Sequence, residues 1–130
     1  MFIYDDSHAA DESQNTSPLS ALAKLDQRVS DAVSIMQANL EEPVSISEIN
    51  ALLQISAKTL ELSFRRHLGT TPKAYYQHLR LQTARKLLRD TSLNLTQVSL
   101  RCGYSSPANF SRAFCRQYGV APKRFRDSSR

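Results

Sequence analysis

The stretch LELSFRRHLGTTP at residues 60–72 has a counterpart fifty positions later, FSRAFCRQYGVAP at residues 110–122. Both stretches have large apolar side chains at their first and fifth positions, a glycine at the tenth and a proline at the thirteenth. Apolar residues four apart lie on one face of a helix, whereas glycine ends a helix and proline begins the next one. The sequence therefore predicts two copies of one small helical unit.

The repeat continues upstream of these stretches. Ser45-x-x-Glu48 and Asn94-x-x-Gln97 both have the pattern of a capping box at a helix N-terminus. Each pattern precedes a short apolar face and a turn, with Gln54 at the turn in the first copy. Each copy is therefore predicted to contain two short helices joined by a turn, which is the arrangement of a helix-turn-helix.

A serine precedes the second helix of each copy, and in the second copy a proline follows that serine. Ser56 and Ser106 are placed as N-caps, and Pro107 would occupy the first helical position of the second copy. We expect these helices to end at Gly69 and Gly119 in the left-handed conformation that glycine adopts readily.

Three further helices complete the predicted domain. An amphipathic helix is expected from about Leu22 to Leu40, a long connecting helix from Pro72 to about Arg89, and a short helix from Pro122 to about Asp127. No segment alternates apolar and polar residues as a half-buried strand would. We therefore predict an all-α fold of about seven helices, with lobe one at residues 22–71, a connecting helix at 72–90 and lobe two at 91–128 within a domain spanning 22–130. Residues 1–21 are predicted to form a flexible tail or an interdomain linker.

The charge of the chain is distributed along a gradient. Residues 1–22 carry four acidic and no basic side chains, residues 23–57 carry five acidic and two basic ones, and residues 58–130 carry three acidic and fifteen basic ones. This excess of positive charge favours a polyanionic partner, either a nucleic acid or an acidic membrane surface. No apolar run approaches the roughly eighteen residues of a membrane span, and the start lacks a signal-peptide pattern, so we expect a cytoplasmic protein.

Neither catalysis nor metal binding is indicated. Cys102 and Cys115 do not form a C-x-x-C motif, and His67 and His78 lie on different predicted helices without a partner at ligand spacing. We expect these histidines at the surface or at helix caps. Because the sequence contains no nucleophile elbow, phosphate loop or paired acid and base, we predict no enzyme, no cofactor and no catalytic residue.

An ordered set of residues between about Arg28 and Arg126 resembles the DNA-binding domain of AraC/XylS-type transcription regulators. The set comprises Gly69, Pro72, Tyr75, Arg80, Leu81, Ala84, Leu87, Leu88, Val98, Gly103, Tyr104, Phe110, Arg112, Phe114, Gly119, Pro122 and Arg126. The resemblance implies that the second helix of each helix-turn-helix enters one of two successive major grooves on one face of double-stranded DNA. Successive grooves are about 34 Å apart, so a connecting helix of about 27 Å has a suitable length.

The resemblance also carries implications for the whole protein. Residues 65–72 together with Tyr75 and Tyr76 resemble family members that have a glutamine-amidotransferase-like N-terminal domain, in which case the acidic tail is a linker. Alternatively, the chain is a complete small regulator that begins at Met1. Members of the family usually activate transcription by contacting RNA polymerase. We expect the isolated domain to be monomeric and a longer protein to dimerise through its N-terminal domain.

Helical spacing selects the side chains that would contact bases. With Leu60, Phe64, Phe110 and Phe114 directed inward, the expected base-contacting residues are Lys58, Glu61, Leu62 and Arg65 in the first recognition helix and Ala108, Asn109, Ser111 and Arg112 in the second. Arg112 can bind guanine in bidentate fashion and Asn109 can pair with adenine. A phosphate contact is the open alternative for Arg112.

The first recognition helix departs from the family pattern. Leu62 stands where the family usually has arginine, so it either contacts a thymine methyl group or adds little specificity. Glu61 can accept a hydrogen bond from cytosine, although both side chains could also form a solvated face. An asymmetric DNA site, in which the second lobe provides most of the base specificity, is therefore predicted.

Phosphate contacts would position the protein without selecting a sequence. The candidates are Arg66, Lys73, Arg101, Ser106, Arg116, Lys123 and Arg124, and a solvated charge is an equal alternative for each of the basic ones. For Arg80, Arg85, Lys86 and Arg89 on the connecting helix, an intramolecular salt bridge or plain solvation is as good an explanation as a phosphate contact. The alternative function is a basic helical protein-interaction module that docks an acidic partner.

Overall fold

The computed structural model describes the backbone of residues 17–129 and the side chains of residues 27–129. The helices are α1 (Ser17–Ala38), α2 (Ile46–Leu53), α3 (Ala57–Leu68), α4 (Pro72–Asp90), α5 (Leu95–Arg101), α6 (Pro107–Tyr118) and α7 (Pro122–Ser128). The described residues contain no strand, so the prediction of an all-α fold with about seven helices is confirmed. Most of the predicted tail, residues 1–16, lies outside the described part of the chain.

Both predicted capping boxes are formed. The backbone amide of Glu48 donates to Ser45 Oγ at 3.0 Å, and the amide of Ser45 donates to Glu48 Oε1 at 2.8 Å. The amide of Gln97 donates to Asn94 Oδ1 at 2.8 Å, and the amide of Asn94 donates to Gln97 Oε1 at 2.9 Å. These bonds satisfy amides that have no partner within the helix, and they determine where α2 and α5 begin.

The second helices of the two copies have matching ends. Ser56 Oγ and Ser106 Oγ each accept a backbone N–H three residues later at 3.1 Å, and Pro107 is the first residue of α6. Gly69 and Gly119 end α3 and α6 with φ angles of 70° and 78°, a conformation that is strained for residues with a Cβ atom. Both helices therefore contain twelve residues, as the repeat implies.

The first helix extends beyond its predicted start. We expected α1 to begin at about Leu22 after a tail closed by Pro18, but it begins at Ser17. Proline is tolerated in the first turn because an amide there has no helical acceptor. Residues 17–21 are therefore helical rather than part of the predicted tail.

The described residues form two compact units that interleave along the chain. The first unit contains residues 17–35 and 45–74, and the second contains residues 36–44 and 75–129. Each unit carries one helix-turn-helix, α2–α3 in the first and α5–α6 in the second. The segment 36–44, which falls within predicted lobe one, belongs to the second unit, where the hydroxyl of Tyr76 donates to Asn39 O and accepts from the Val44 amide.

Each unit has its own buried apolar residues. In the first unit Leu60 and Phe64 are fully buried, as predicted. In the second unit Phe114 contacts three aromatic rings, with centroid distances of 5.8 Å to Phe110, 4.8 Å to Tyr118 and 5.7 Å to Phe125. The inward faces of α3 and α6, the two recognition helices, are thus held by packing, which leaves the opposite faces exposed.

The two cysteines differ in burial, and we expect them to differ in reactivity. Cys102 is fully buried, and burial raises the pKa of its thiol to about 12 although Arg80 nearby lowers it in part. Cys115 is exposed. Since the thiolate is the reactive form, a pulse of iodoacetamide at neutral pH should label Cys115 well before Cys102.

Mass spectrometry of the two cysteine peptides measures this difference. In a denaturant the two thiols should react at similar rates, because the burial that protects Cys102 is lost. Labelling of both cysteines at the same rate in the folded protein would contradict the burial of Cys102.

Candidate nucleic-acid interface

The outer face of α3 carries the side chains predicted for the first recognition helix. Lys58, Glu61, Leu62 and Arg65 are all exposed. Leu62 is 54% exposed, so its apolar surface is available to a partner. Arg65 Nη2 lies 4.0 Å from Glu61 Oε2, and this pairing partly neutralises the charge that Arg65 could offer to DNA.

The outer face of α6 has a different chemistry. Ala108, Asn109 and Arg112 are exposed, whereas Ser111 is half-buried. Arg112 Nη2 donates a hydrogen bond to Asn109 Oδ1, and no acidic residue occurs within α6. The second recognition helix therefore presents an uncompensated guanidinium at the position that Leu62 occupies in the first.

The predicted phosphate contacts are distributed over both units. Arg66 and Lys73 are exposed in the first unit. The exposed candidates in the second unit are Arg101, Arg116, Lys123 and Arg124. Ser106 is half-buried and its oxygen accepts the Asn109 amide, but its hydroxyl hydrogen remains available to a phosphate.

The two units differ in net charge. Among the described side chains, residues 27–129, the first unit carries five basic and three acidic ones, whereas the second carries ten basic and four acidic ones. The second unit therefore has the stronger electrostatic attraction for a polyanion. In the described part of the chain no cluster of histidine, cysteine and acidic side chains could hold a metal ion, and no helix is long and apolar enough to cross a membrane.

Comparison with known proteins identifies the fold and the family. A helix-turn-helix domain family matches residues 50–128. The chain is 38% identical to a transcriptional regulator with an AraC-type DNA-binding domain from Chromobacterium violaceum, over 82% of this chain and 96% of that one, with a TM-score of 0.76. The chain belongs to the AraC family.

Two further relatives define how far the similarity extends. The chain is 32% identical over 123 residues to the transcriptional regulator GbdR of Pseudomonas aeruginosa, an alignment that covers 95% of this chain but 34% of GbdR. It is 26% identical to the DNA-binding domain of AdpA in complex with a target DNA, over 78% of this chain and 91% of that one, with a TM-score of 0.73. The chain thus spans about a third of the length of the curated relatives that it matches. The matching family is a helix-turn-helix domain and not an enzyme family.

Arg80 has a structural role in this AraC-type domain that helical spacing alone did not indicate. Its Nε donates to Cys102 O at 2.9 Å and its Nη2 donates to Gly103 O at 3.0 Å. The guanidinium also lies 4.3 Å from the centroid of the Tyr104 ring. Arg80 therefore secures the turn between α5 and α6, and neither a salt bridge nor plain solvation describes it. Its place in the family pattern was the signal that could have found this role.

Arg126 secures the other end of the second unit. Its guanidinium donates to Leu88 O at 2.9 Å, to Thr91 O at 3.2 Å and to Leu93 O. Cations are favourable at a helix C-terminus because they satisfy the last carbonyl groups and the negative end of the helix dipole. Arg126 thus connects α7 to the end of α4 and to the loop that precedes α5.

Three more side chains of α4, those of His78, Arg85 and Arg89, have different partners. The Arg85 guanidinium lies 5.2 Å from the Tyr118 ring centroid, and Arg89 pairs with Asp90 at 3.0 Å. His78, which we expected at the surface or at a cap, is half-buried and hydrogen-bonded to Gln117 of α6 at 2.9 Å. The Arg85–Tyr118 and His78–Gln117 contacts join α4 to α6, whereas the Arg89–Asp90 pair lies within α4.

Proposed function

We propose that this chain binds a specific sequence in double-stranded DNA and acts in the regulation of transcription. The observation that carries this proposal is the presence of two helix-turn-helix units whose second helices bury their apolar faces and expose the side chains predicted to contact bases, except for the half-buried Ser111. The AdpA domain, which has the same fold, is in complex with a target DNA. Each recognition helix would enter one of two successive major grooves.

The two recognition helices would contribute unequally to specificity. In α6 the exposed Arg112 would bind guanine O6 and N7, with Ala108, Asn109 and Ser111 beside it. In α3 the residue at the matching position is Leu62, which offers only an apolar contact with a thymine methyl group. Lys58, Glu61 and Arg65 complete that face, but the pairing of Glu61 with Arg65 reduces its attraction for DNA. The preferred site would therefore be asymmetric.

Phosphate contacts would supply most of the affinity that does not depend on sequence. The proposed contacts are Arg66, Lys73, Arg101, Ser106, Arg116, Lys123 and Arg124. Each neutralised phosphate releases counterions, so the binding constant should fall steeply with salt concentration.

Further proposals concern the longer protein of which such a domain forms part in its relatives. We place it in the cytoplasm, acting on transcription through contacts with RNA polymerase. The domain itself would be monomeric, whereas an N-terminal domain would make the longer protein dimeric. Analytical ultracentrifugation of this chain and of the longer protein tests the difference in oligomeric state.

The site itself can be determined by in vitro selection from random duplex DNA followed by footprinting. We expect an asymmetric site of about two helical turns with contacts in two successive major grooves. Protection of a single groove, or a palindrome bound by two copies, would contradict the two-groove mode. Binding without sequence preference, with a salt slope that corresponds to only one or two neutralised phosphates, would instead favour the alternative function, a basic helical protein-interaction module that docks an acidic partner.

Arg112→Ala is expected to weaken binding to the selected site by about 1–3 kcal/mol, because the bidentate contact with guanine is lost. Affinity for random duplex DNA should change only slightly. Fluorescence anisotropy at fixed salt concentration measures both affinities.

Arg124→Ala is the matched control in the same unit. As a phosphate contact it should weaken binding to selected and random DNA by similar factors and lower the salt slope by about one. If Arg112→Ala also weakened both DNAs equally, Arg112 would be a phosphate contact and not a base contact.

A further inference from the structure

The four helices of the two helix-turn-helix units differ in the hydrogen bond that the side chain of their third residue makes. In α2 and α5 this residue is Glu48 or Gln97, whose side chain points back to the N-cap amide. In α3 it is Thr59, whose hydroxyl accepts from Ser56 Oγ at 2.9 Å. In α6 it is Asn109, and its side chain points forward along the helix to Arg112.

The chemistry of the pair determines which atoms face each other. A guanidinium has only donors, so the atom of Asn109 next to Arg112 Nη2 is the amide oxygen. This bond uses one of the five N–H groups of Arg112 and leaves the Nε hydrogen, both Nη1 hydrogens and the second Nη2 hydrogen. The parallel pair of donors that guanine O6 and N7 require is therefore still available.

We propose that Asn109 serves DNA recognition as a positioning residue, by holding the Arg112 guanidinium ready for guanine, and not as an independent contact for adenine. This inference rests on the proposed function. A bidentate contact with adenine requires the Asn109 amide oxygen to face the base, whereas here that oxygen faces Arg112 on its own helix.

Restricting Arg112 before binding would raise its affinity for the base. Both side chains are exposed, so packing does not restrict Arg112, and its long side chain would otherwise lose rotamer freedom when DNA binds. The backbone of Asn109 is itself anchored, because its amide donates to Ser106 Oγ at 3.1 Å. The Asn109 side chain is therefore attached to a backbone that is held in place at the start of α6.

The first recognition helix lacks this arrangement. The counterpart of Asn109 is Thr59, which bonds backward to Ser56, and the counterpart of Arg112 is Leu62. Arg65 in α3 lies beside the carboxylate of Glu61, whose negative charge offsets part of its positive charge. The neutral amide in α6 restrains the guanidinium while leaving its charge intact.

A double-mutant cycle on the selected DNA site tests the inference, with Asn109→Ala, Arg112→Ala and the double variant. Asn109→Ala should weaken specific binding by about two- to tenfold. The double variant should bind no more weakly than Arg112→Ala alone, since Asn109 would act only through Arg112. Additive losses would overturn the inference in favour of a separate base contact.

Modified bases provide a readout that a merely structural role would not change. Replacing the contacted guanine by 7-deazaguanine removes the N7 acceptor, so it should weaken binding of the wild-type protein more than binding of Asn109→Ala. Replacing each adenine of the site by 7-deazaadenine should affect the two proteins equally. A loss at one adenine that is present in the wild type and absent in Asn109→Ala would overturn the inference.

Two controls distinguish the positioning role of Asn109 from an effect on folding and from an effect of charge. The Tm of Asn109→Ala should match that of the wild type, because the Ser106 cap bonds to a backbone amide. Asn109→Asp retains the oxygen acceptor and should preserve the preference for guanine over 7-deazaguanine. If the wild-type protein showed no sequence preference at all, the proposed function would fail together with the inference, whereas additivity in a sequence-specific protein would overturn the inference alone.

Discussion

Phe114→Ala is expected to lower the free energy of unfolding of the second unit by about 3–5 kcal/mol. Phe114 is fully buried and packs against Phe110, Tyr118 and Phe125, so truncation leaves a cavity among aromatic rings that cannot move together easily. A small domain has only about 5–15 kcal/mol of stability in total. Urea denaturation followed by circular dichroism measures the change.

The loss of Phe114 should also be visible in DNA binding and in thiol chemistry. Because Phe114 lies on the inner face of α6, its removal should abolish specific binding even though it does not face the groove. Cys102 belongs to the same buried cluster and should become reactive toward iodoacetamide. Cys115→Ala, an exposed change on the same helix, is the control and should alter stability by less than about 0.5 kcal/mol. A loss below about 1 kcal/mol for Phe114→Ala would contradict the packing.

Gly103→Ala should destabilise the second unit by about 2–5 kcal/mol. Gly103 has a φ of 83°, which strains any residue with a Cβ atom by about 1–2 kcal/mol. A Cβ atom there would also lie 2.5 Å from Leu40 O and 2.6 Å from Pro43 Cγ. Overpacking of this kind adds about 1–3 kcal/mol, because the opposing group is backbone and a proline ring.

Gly119→Ala is a matched control for this prediction. Gly119 has a similar φ of 78°, but a Cβ atom there would meet nothing within 4 Å. Its replacement should therefore cost only the conformational strain of about 1–2 kcal/mol. Thermal or urea denaturation of the two variants isolates the steric part as the difference between them. Equal destabilisation by both substitutions would mean that segment 36–44 does not pack against Gly103.

Local sequence signals predicted the helices of this AraC-type domain accurately. The capping boxes at Ser45 and Asn94 and the left-handed glycines at positions 69 and 119 all occur where the pattern placed them. Such signals act over at most about four residues, so the chain itself contains all the information they need. The early start of α1 was missed because Pro18 fits both the end of a tail and the first turn of a helix.

Contacts between distant residues could not be predicted in the same way. Arg80 bonds to carbonyl groups more than twenty residues away, and Arg126 bonds to carbonyl groups more than thirty residues away. In sequence both arginines resemble solvated charges. The family resemblance marked both positions, but it did not state which atoms they contact.

The candidate site could be predicted from the sequence in part, less fully than the helix ends and more fully than the contacts between distant residues. Helical spacing predicted which side chains of α3 and α6 lie on the outer face, and all except the half-buried Ser111 are exposed. Spacing did not show that Glu61 pairs with Arg65 or that Asn109 accepts from Arg112. Side chains three or four residues apart on a helix can meet, but whether they do depends on the other partners within reach of each.

The sequence by itself therefore determined the helices, their ends and the outward faces of the two recognition helices, because periodicity and capping depend on near neighbours. Only the tertiary structure decided that segment 36–44 packs in the second unit, and that Arg80 and Arg126 bind backbone carbonyl groups. The physical reason is that a buried carbonyl group gains most from a donor that the folded chain brings to it, and sequence distance does not limit that choice.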